Sequence, residues 1–537
     1  MKKSLFGISV LTITGLYGLL AAVLIAIFAI AELPILPAIL IAIGFMLLQF
    51  LISPWLTDLS MRWFYKATFP AELPPYLEAF IRQVCEEQKM KMPRVGLIHD
   101  QAPNAFTYGH TKNNARIVIT EGILEMLDEE EAKAVVAHEL GHATHYDMLL
   151  MTMVQLVPLV LYAIFEMMTD YRGGKIDSDS SSSSDDNKGF IIGIIAYVLY
   201  LISEYIILWF SRVREYYADE FAAQATRNPN ALAGALVKIG FGLVTASASQ
   251  DSRHSVASPT TMGISDAKSS SAIVASAVAT TGEISGASVH NAMRWDLWNY
   301  WAKWYELNST HPLISKRLLA LSAMAPDYGQ IPYVTFDEKP DRDYFGTFLK
   351  ELGIAALPWI AFIAAVAAAA VVFFQTDDIP FKVIGIGGLV TVGLSFFKYM
   401  YKHPKNFTHH TVEDLMAEVN VSGITAIPCE MTGQLIGRGD PGCIFSENFV
   451  LRDQTGIVLL NYNQPLKTLN KIFALFRAER YIGQDVYVKG WFRRSPTPYV
   501  EMLSFQVLDK TRKLYTYKTG IVIRVILAIA CAVLLFL

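Results

Sequence analysis

The chain has 537 residues, of which 53% are hydrophobic and 18% charged, and its formal net charge is −4. This length allows several domains, the apolar content is high for a soluble protein, and the small net charge gives no electrostatic basis for binding nucleic acid. Cys85, Cys429, Cys443 and Cys531 are widely separated and form no C-x-x-C pair, which excludes a disulfide framework and suits a reducing compartment.

The N-terminal residues predict a membrane hairpin. Leu5–Ala31 contains no charged residue and is long enough to cross a bilayer. A second apolar run, residues 33–56, follows after a very short break. Lys2 and Lys3 favour a cytosolic N-terminus, because positively charged residues flank membrane spans on the cytosolic side. The segment after this hairpin is therefore expected in the cytosol as well.

Residues 57–147 are predicted to form a soluble segment of mixed helix and strand. Tyr76–Met90 has a helical pattern, whereas Pro93–His99 and Arg116–Thr120 are rich in apolar and β-branched residues and indicate strands. Acidic residues at 128–131 then mark the start of another helix, since negative charge in the first turn suits the helix dipole.

This second helix contains an H-E-x-x-H motif. His138 and His142 are four residues apart, so a helix places both imidazole rings on one face, one turn apart. Two histidines in that arrangement can bind one zinc ion, and Glu139 between them is placed to activate a water molecule. The motif therefore predicts a zinc hydrolase.

Five further apolar runs bring the predicted number of membrane spans to seven. They are Met148–Phe165, Gly189–Phe210, Ile354–Phe374, Ile379–Phe397 and a final run that ends at Leu537. Seven spans with the N-terminus inside put the C-terminus outside and all soluble segments that carry chemistry in the cytosol. The Ser- and Asp-rich residues 173–188 are expected to be a flexible external loop, and the Ser- and Ala-rich residues 244–289 a mobile insertion.

A catalytic zinc ion needs a third protein ligand, for which the sequence offers two candidates. His145 lies close behind His142 on nearly the same helix face, but a ligand there points too far along the helix axis to complete a tetrahedron. Glu215 comes 73 residues after His142, directly after a membrane span. The hairpin of the third and fourth spans would return it beside the zinc helix, so Glu215 is preferred and His145 is the alternative.

The C-terminal region predicts a second soluble domain. Strand patterns over Thr425–Leu435, Asn448–Leu451 and Gly456–Tyr462 precede a helix, and two more strands follow it. This order is typical of a small OB-like β-barrel. The segment from Asn406 to Asp509 contains nine basic and eleven acidic residues. This balance argues against a nucleic-acid-binding surface. A regulatory or interaction module is preferred.

These patterns together define the expected domain organisation. The predicted segments are a membrane hairpin (1–56), the first part of the zinc-hydrolase domain (57–147), a second hairpin (148–210), the second part of the zinc-hydrolase domain (211–345, with the insertion 244–289), a third hairpin (354–397), the OB-like domain (412–509) and a last span (519–537).

Several motifs resemble the HtpX and CAAX prenyl protease family of membrane zinc metallopeptidases. The matching motifs are Asn104-Ala105-Phe106 with Gly109, His138-Glu139-Leu140-Gly141-His142 with Asp147, Glu215-x-x-x-Asp219, Asn228-Pro229-x-Ala231-Leu232 and Thr310-His311-Pro312. They occur in the same order as in the family. The resemblance covers roughly residues 1–321, so it says little about the insertion, the later spans or the OB-like domain.

The resemblance implies a role for each matched residue. His138, His142 and Glu215 would bind one Zn²⁺ per chain, and Glu139 would be general base and then general acid. Asp219 would orient a histidine ligand, with a surface ion pair to Arg214 as the alternative, and Asp147 is expected to be structural. His311 would stabilise the oxyanion or merely end a helix. Asn104, Ala105 and Phe106 would form the edge strand that receives substrate, or an ordinary hairpin strand.

The expected fold is mainly α: a multi-pass membrane protein with a gluzincin-like α+β zinc peptidase domain and a C-terminal OB-like barrel. The resemblance implies an endopeptidase of the cell membrane that cleaves membrane or misfolded proteins at the cytosolic face. One alternative is a CAAX-type prenyl-protein protease. Another is an inactive protease-like scaffold that binds partners through its OB-like domain. Expected partners are protein or peptide substrates and the lipid bilayer, and the sequence does not set the oligomeric state.

Overall fold

Helices predominate in the chain, and they divide with the strands between two structural units. The computed structural model describes residues 5–31, 35–173, 184–248, 286–335, 344–376, 378–439, 446–495, 497–507 and 510–536. The first unit contains the described residues within 5–239 and 306–333, and the second contains 240–248, 286–305 and 334–536.

The helices and strands follow one another in this order. Up to residue 248 they are α1 (Leu5–Ala31), α2 (Ile35–Trp63), α3 (Pro75–Glu87), β1 (Arg94–Ile98), β2 (Ala105–Gly109), β3 (Ala115–Thr120), α4 (Glu121–Met126), α5 (Glu129–Thr144), α6 (Asp147–Gly173), α7 (Ser184–Thr226) and α8 (Pro229–Ala248). From residue 286 they are α9 (Gly286–Trp298), α10 (Tyr300–Glu306), α11 (Ile314–Met324), α12 (Phe345–Thr376), α13 (Phe381–Lys402), β4 (Thr408–His409), α14 (Val412–Ala417), β5 (Ile427–Arg438), β6 (Phe449–Arg452), β7 (Ile457–Asn461), α15 (Lys467–Phe476), β8 (Asp485–Ser495), β9 (Thr497–Val507), β10 (Lys510–Lys513) and α16 (Thr516–Val533).

A three-stranded sheet in the first unit has the order β1-β3-β2, so β1 and β2 are its edges. The outer edge of β1 is covered, because Thr68 and Leu97 exchange backbone hydrogen bonds of 2.9 and 3.1 Å. Strand β2 pairs antiparallel with β3 along one edge. Among the described residues, no backbone hydrogen bond reaches its other edge. The sheet thus offers one free edge, which can accept a further extended strand.

Helices α1, α6 and α7 of the first unit form an apolar core. Leu16 of α1 packs against buried side chains that include Val154 and Leu161 of α6, and Ala196 and Phe210 of α7. Between helices that cross a bilayer, such close van der Waals packing is the main favourable contribution. The hairpin of α6 and α7 therefore packs with α1 as one bundle.

Helix α7 is longer than the sequence patterns indicate. The apolar run Gly189–Phe210 and the polar segment that follows it are predicted as two pieces, yet α7 continues without a break from Ser184 to Thr226. The polar residues 211–226 lack Gly and Pro, so nothing in them ends a helix. Glu215 and the membrane span before it consequently belong to one helix.

Five helices in the described part of the chain are long and apolar enough to cross a membrane. Their stretches are Asp147–Thr169, Phe190–Thr226, Phe345–Thr376, Phe381–Lys402 and Thr516–Val533, and they coincide with the last five predicted spans. Helices α1 and α2 cover the two N-terminal apolar runs. The total of seven stays a prediction.

The second unit contains a closed five-stranded β-barrel. Strand β5 pairs antiparallel with β6 and β8, β6 pairs with β7, and β8 pairs with β9. A parallel pairing of β7 with β9 closes the ring. Helix α15 connects β7 to β8, so the predicted order of three strands, a helix and two strands is confirmed.

Two of the sequence predictions fall largely outside the described residues. The external loop predicted at 173–188 includes residues 174–183, which are not described, while its last residues already belong to α7. Residues 249–285, most of the predicted insertion 244–289, are likewise not described.

Candidate metal centre

The site is built on helix α5, which begins with a capping box. The Asp128 side chain accepts a 2.9 Å hydrogen bond from the backbone of Glu131, and the Glu131 side chain accepts a 3.0 Å bond from the backbone of Asp128. This reciprocal pair satisfies N–H groups that the first turn would otherwise leave free. Two turns later the helix carries buried polar residues: His138 is 0% and Glu139 2% exposed. Buried polar side chains in such a position need partners.

The two histidines direct the same ring nitrogen at one point. Nε2 of His138 lies 3.2 Å from Nε2 of His142, as the spacing of four residues predicts. Glu215 of α7 completes the group, with its carboxylate oxygens 3.5 Å from His138 Nε2 and 3.6 Å from His142 Nε2. The three ligand atoms lie within 4.8 Å of one another, and these three residues could hold a metal ion.

A glycine allows α7 to come this close. A Cβ atom on Gly141 would lie 3.2 Å from the Ala218 Cα and 3.3 Å from Phe221. That distance is too short for a side chain between two helix backbones unless one of them moves. Gly141 in the H-E-x-x-H motif therefore sets the separation of α5 and α7, and with it the distance from the histidines to Glu215.

Carboxylates also fix the other ring nitrogen of each histidine. Asp219, one turn after Glu215, lies 2.9 Å from His138 Nδ1, and Asp147 lies 2.7 Å from His142 Nδ1. Such contacts hold an imidazole in the tautomer that leaves Nε2 free for a metal. Asp219 thus occupies the position that the resemblance implies. Asp147, which was expected to be structural, has the same relation to His142.

The buried Arg317 of α11 balances the charge of this cluster. Its guanidinium donates two hydrogen bonds to Asp219, of 2.8 and 2.6 Å, and lies 3.7 Å from Glu215. Arg214, the surface partner of Asp219 in the alternative interpretation, contacts Asp147 instead. A planar guanidinium with two parallel bonds to a carboxylate is a strong and directional pair. It fixes the Asp219 carboxylate against His138.

These contacts shift the pKa values of His138 and Arg317. Burial opposes protonation of His138, but its hydrogen bonds to Asp219 and Glu215 outweigh burial and raise the pKa to about 9. Burial also opposes the charge of Arg317, yet the nearby Asp219 and Glu215 carboxylates raise its pKa. The site therefore concentrates negative charge around His138, which is the environment that favours a cation.

Glu139 lies beside the three ligand residues and is held by the neighbouring sheet. The Thr107 hydroxyl of β2 donates a 2.8 Å hydrogen bond to the Glu139 carboxylate and lies 3.1 Å from the Glu139 backbone carbonyl. The contact joins the free edge strand β2 to helix α5. It fixes one carboxylate oxygen of Glu139 and leaves the other available for a proton.

His311 and His145 differ sharply in their surroundings. His311, in the loop before α11, places Nδ1 3.1 Å from a Glu215 carboxylate oxygen and so faces the ligand cluster. His145 follows the end of α5, and its ring packs edge-on against Tyr217 and Phe221, 6.4 and 5.9 Å between centroids. The geometry groups Glu215, rather than His145, with the two histidines.

The side chains of the predicted substrate strand are buried. Ala105 and Phe106 begin the edge strand β2, and Asn104 directly precedes it. The Asn104 backbone exchanges hydrogen bonds of 3.0 and 2.8 Å with the backbone and hydroxyl of Thr120. Phe106 is 3% exposed and packs in a core with Met61 and Ile98. Its ring is therefore not available to a ligand.

Comparison with known proteins identifies the family. The family model described as Peptidase family M48 matches residues 72–325. Two proteins named Protease HtpX homolog, from Methanothermobacter thermautotrophicus and Pyrococcus abyssi, are 38% and 31% identical over 226 and 203 residues. These alignments cover 42% and 37% of this chain, and 81% and 68% of the two relatives. The chain belongs to peptidase family M48.

The chain is also similar to a solved structure, that of S. mikatae Ste24p, at 18% sequence identity and a TM-score of 0.32. The alignment covers 57% of this M48 chain and 63% of the Ste24p chain. The family match ends before the C-terminal barrel. Together with the apolar helices, membership in this family makes the protein a membrane-associated metallopeptidase, as the motifs predict. The alternative of an inactive scaffold gains no support.

Sequence patterns do not reveal two residues of the M48 site: Thr107 occupies an ordinary strand position, and Arg317 lies 98 residues after its partner Asp219. Asp147 belongs to the matched motif, but its contact with His142 is not predicted. Alternation along β2 gives a partial signal, because Thr107 must face away from the core that contains Phe106. Nothing local to Arg317 indicates its partner.

Thr107→Val should reduce turnover by the M48 peptidase without removing its metal. The variant keeps the shape of the side chain but loses the hydrogen bond to Glu139, and a bond to a charged group contributes about 1.5–3 kcal/mol. We expect kcat to fall roughly 10- to 100-fold, measured on a peptide substrate, with unchanged metal content. Thr107→Ser, which keeps the hydroxyl, is the matched control. Wild-type kcat in Thr107→Val would contradict the assigned contact.

Arg317→Met should destabilise the first unit and weaken metal binding. It leaves the buried Asp219 carboxylate without its cation, a change that costs about 3–5 kcal/mol in proteins. Chemical unfolding in mixed micelles, together with metal titration, measures both effects. The control Lys133→Met removes an ion pair to the exposed Glu130 and should cost less than about 1 kcal/mol. Equal losses in the two variants would refute the role of Arg317.

Proposed function

We propose that this chain is a zinc-dependent endopeptidase that binds one zinc ion per chain through His138, His142 and Glu215. Their convergence, with Glu139 beside them, is the observation that carries the proposal. Two imidazoles and a carboxylate are a typical donor set of catalytic zinc, which keeps a fourth position for water or substrate. Glu215 is 2% exposed, and its carboxylate lies 3.5 and 3.6 Å from the Nε2 atoms of His138 and His142, as a shared metal ligand would require.

Each residue of the site has a distinct task in peptide hydrolysis. Bound zinc would polarise the scissile carbonyl and lower the pKa of water. Glu139 accepts the proton of the attacking water and then donates it to the amine that leaves, while Thr107 keeps its carboxylate in place. No covalent bond to the protein forms. Asp219 and Asp147 hold the two histidines in position.

His311 is proposed to stabilise the oxyanion of the tetrahedral intermediate. Its place beside Glu215, at 3.1 Å, puts a nitrogen donor at the border of the ligand cluster, where charge develops on the carbonyl oxygen. A His311→Ala variant with unchanged metal content and a kcat near that of the wild type would oppose this role. A fall of roughly 100-fold or more is expected, as is typical for loss of one oxyanion donor.

Substrate is proposed to bind as an added strand on β2. The backbone of Asn104, Ala105 and Phe106 leads directly to Thr107, whose side chain contacts Glu139. A peptide paired with the free edge would therefore run past the catalytic carboxylate. Backbone pairing recognises extended chains of many sequences, which suits a peptidase that cleaves unfolded segments.

We further propose that the site faces the cytosol and acts on membrane or misfolded proteins. Lys2, Lys3, Lys398, Lys402 and Lys405 flank the apolar segments on the side assigned to the cytosol. The test compares cleavage by the lipid-reconstituted chain of a destabilised membrane protein and of a prenylated peptide. Cleavage that requires the prenyl group would favour the CAAX alternative.

The C-terminal barrel is proposed to be OB-like and regulatory. Its ring of strands, with a parallel closing pair and a helix between the third and fourth strands, supports an OB-like topology. The slight excess of acidic over basic residues between Asn406 and Asp509 supports a partner other than nucleic acid.

A further inference from the structure

Helix α15 of the second unit carries apolar side chains on both of its faces. Its inner face is buried in the barrel, where Phe473 stacks on Tyr462 with 4.2 Å between ring centroids. Its outer face exposes Ile472 by 54%, Leu475 by 43% and Phe476 by 66%. These three residues are spaced i, i+3 and i+4 and so form one stripe. A helix on a water-facing surface has polar residues there instead.

Basic residues surround this apolar stripe. Between residues 466 and 480 the sequence has one acidic residue, Glu479, and four basic residues: Lys467, Lys471, Arg477 and Arg480. All four basic side chains are exposed, and Glu479 already forms a 3.0 Å ion pair with Arg438. The neighbouring β10 adds the exposed Lys510 and Lys513. Apolar residues with lysine and arginine beside them are typical of helices that lie in a membrane surface.

Hydrogen bonds tie the start of α15 to the start of the last apolar helix, α16. Thr516 donates a 2.5 Å hydrogen bond to the Asn463 carbonyl, and the Tyr515 backbone donates a 3.1 Å bond to the Gln464 side chain. Asn470 of α15 accepts a 2.9 Å bond from the Gln464 backbone. The first turns of the two helices are thus joined through two residues.

This connection places α15 close to the point where the chain enters the bilayer. Helix α16 is one of the five helices long and apolar enough to span a membrane, and Tyr515 at its start is 52% exposed, as is usual at a membrane–water boundary. Ten helical residues extend about 15 Å. The outer face of α15 therefore lies within roughly 20 Å of the start of α16.

We propose that α15 is an interfacial helix, with Ile472, Leu475 and Phe476 inserted among the lipids of an anionic bilayer. Lys467 and Lys471 contact the anionic headgroups. The barrel is then held against the membrane along one side, and not merely suspended from α16. The bilayer is favoured over a protein partner because the apolar stripe, the positive charge and the adjoining span occur together. This inference depends on α16 crossing the membrane and is independent of the proteolytic chemistry.

The test measures the depth of a label on α15 in the full-length chain. The four cysteines are replaced by serine, Leu475→Cys is labelled with an environment-sensitive fluorophore, and the protein is reconstituted in nanodiscs that contain phosphatidylcholine, phosphatidylglycerol and nitroxide-labelled lipid. We expect quenching at least roughly threefold stronger than at the matched control Thr432→Cys, an exposed position of β5, because interfacial helices insert into the headgroup region. Phe476→Cys provides a second position should the first variant fold poorly.

Two outcomes would overturn the proposal. Equal quenching at the α15 and control positions would show that the helix is outside the lipid. A label shielded from water yet not quenched by lipid would instead indicate a protein partner or a second copy on this face. A further pair of substitutions, Lys467→Gln with Lys471→Gln, should weaken quenching in discs with phosphatidylglycerol and leave it unchanged in phosphatidylcholine alone. Equal quenching before and after the substitutions in both lipids would remove the role of the headgroups.

Discussion

Glu139→Gln is expected to abolish proteolysis while the protein keeps about one zinc ion. The amide has the size of the carboxylate and can still accept the hydrogen bond from Thr107, but it cannot accept the proton of the attacking water. Loss of a general base lowers rates by roughly 100- to 10,000-fold. Because Glu139 is not among the three grouped ligand residues, metal binding should be preserved.

The measurement combines metal analysis of the purified chain with cleavage of a peptide substrate. The matched control is Glu130→Gln on the same helix, whose side chain is exposed and pairs with Lys133, and it should retain activity. Full activity of Glu139→Gln, or purified wild-type protein without zinc, would refute the mechanism. Loss of zinc in the variant would instead assign Glu139 to the ligand set.

Glu215→Ala should weaken zinc binding far more than His145→Ala does. Glu215 provides oxygens 3.5 and 3.6 Å from the two histidine nitrogens, whereas the His145 ring packs against Tyr217 and Phe221. Mutation of a residue that only holds a metal ligand in place lowers metal affinity by roughly 10- to 100-fold. Removal of the ligand itself should therefore lower the affinity by more than about 100-fold. Competition with a chelator measures the affinity.

A folding defect in Glu215→Ala would also lower zinc affinity. The Glu215→Gln variant distinguishes such a defect from loss of the ligand. The amide has the same volume as the carboxylate, so a weaker affinity in a variant that unfolds like the wild type reports the ligand itself. His145→Ala is the matched control, with affinity expected close to wild type. If His145→Ala has the larger effect, the third ligand is His145, and the geometry of the site must differ from that described.

The sequence predicts best what depends on local patterns. The H-E-x-x-H spacing is enough to place His138 and His142 side by side, since a helix fixes their relation. The strand order of the barrel follows from alternation and turn residues. The sequence predicts Glu215 because an apolar hairpin connects it to the motif, so the topology implies this long-range contact.

Contacts between distant elements explain what the sequence does not predict. Arg317 meets Asp219 because α11 packs against α7, and no periodicity encodes the packing of two helices 98 residues apart. Arg214 was closer in sequence to Asp219 and equally charged, yet it contacts Asp147. The role of Thr107 depends on the orientation of β2 relative to α5, which is a tertiary property.

Because α7 is continuous, the thickness of the bilayer can affect the position of Glu215 in the metal centre. Glu215 comes about 8 Å after Phe210 along the axis, with no intervening Gly or Pro to act as a joint. A continuous helix of this kind transmits any tilt of its apolar portion to the end that carries Glu215. Bilayers that differ in thickness change the tilt of such spans. The distance from Glu215 to the histidines of α5 should therefore respond to membrane thickness, and the peptidase would work best in one range of acyl-chain lengths.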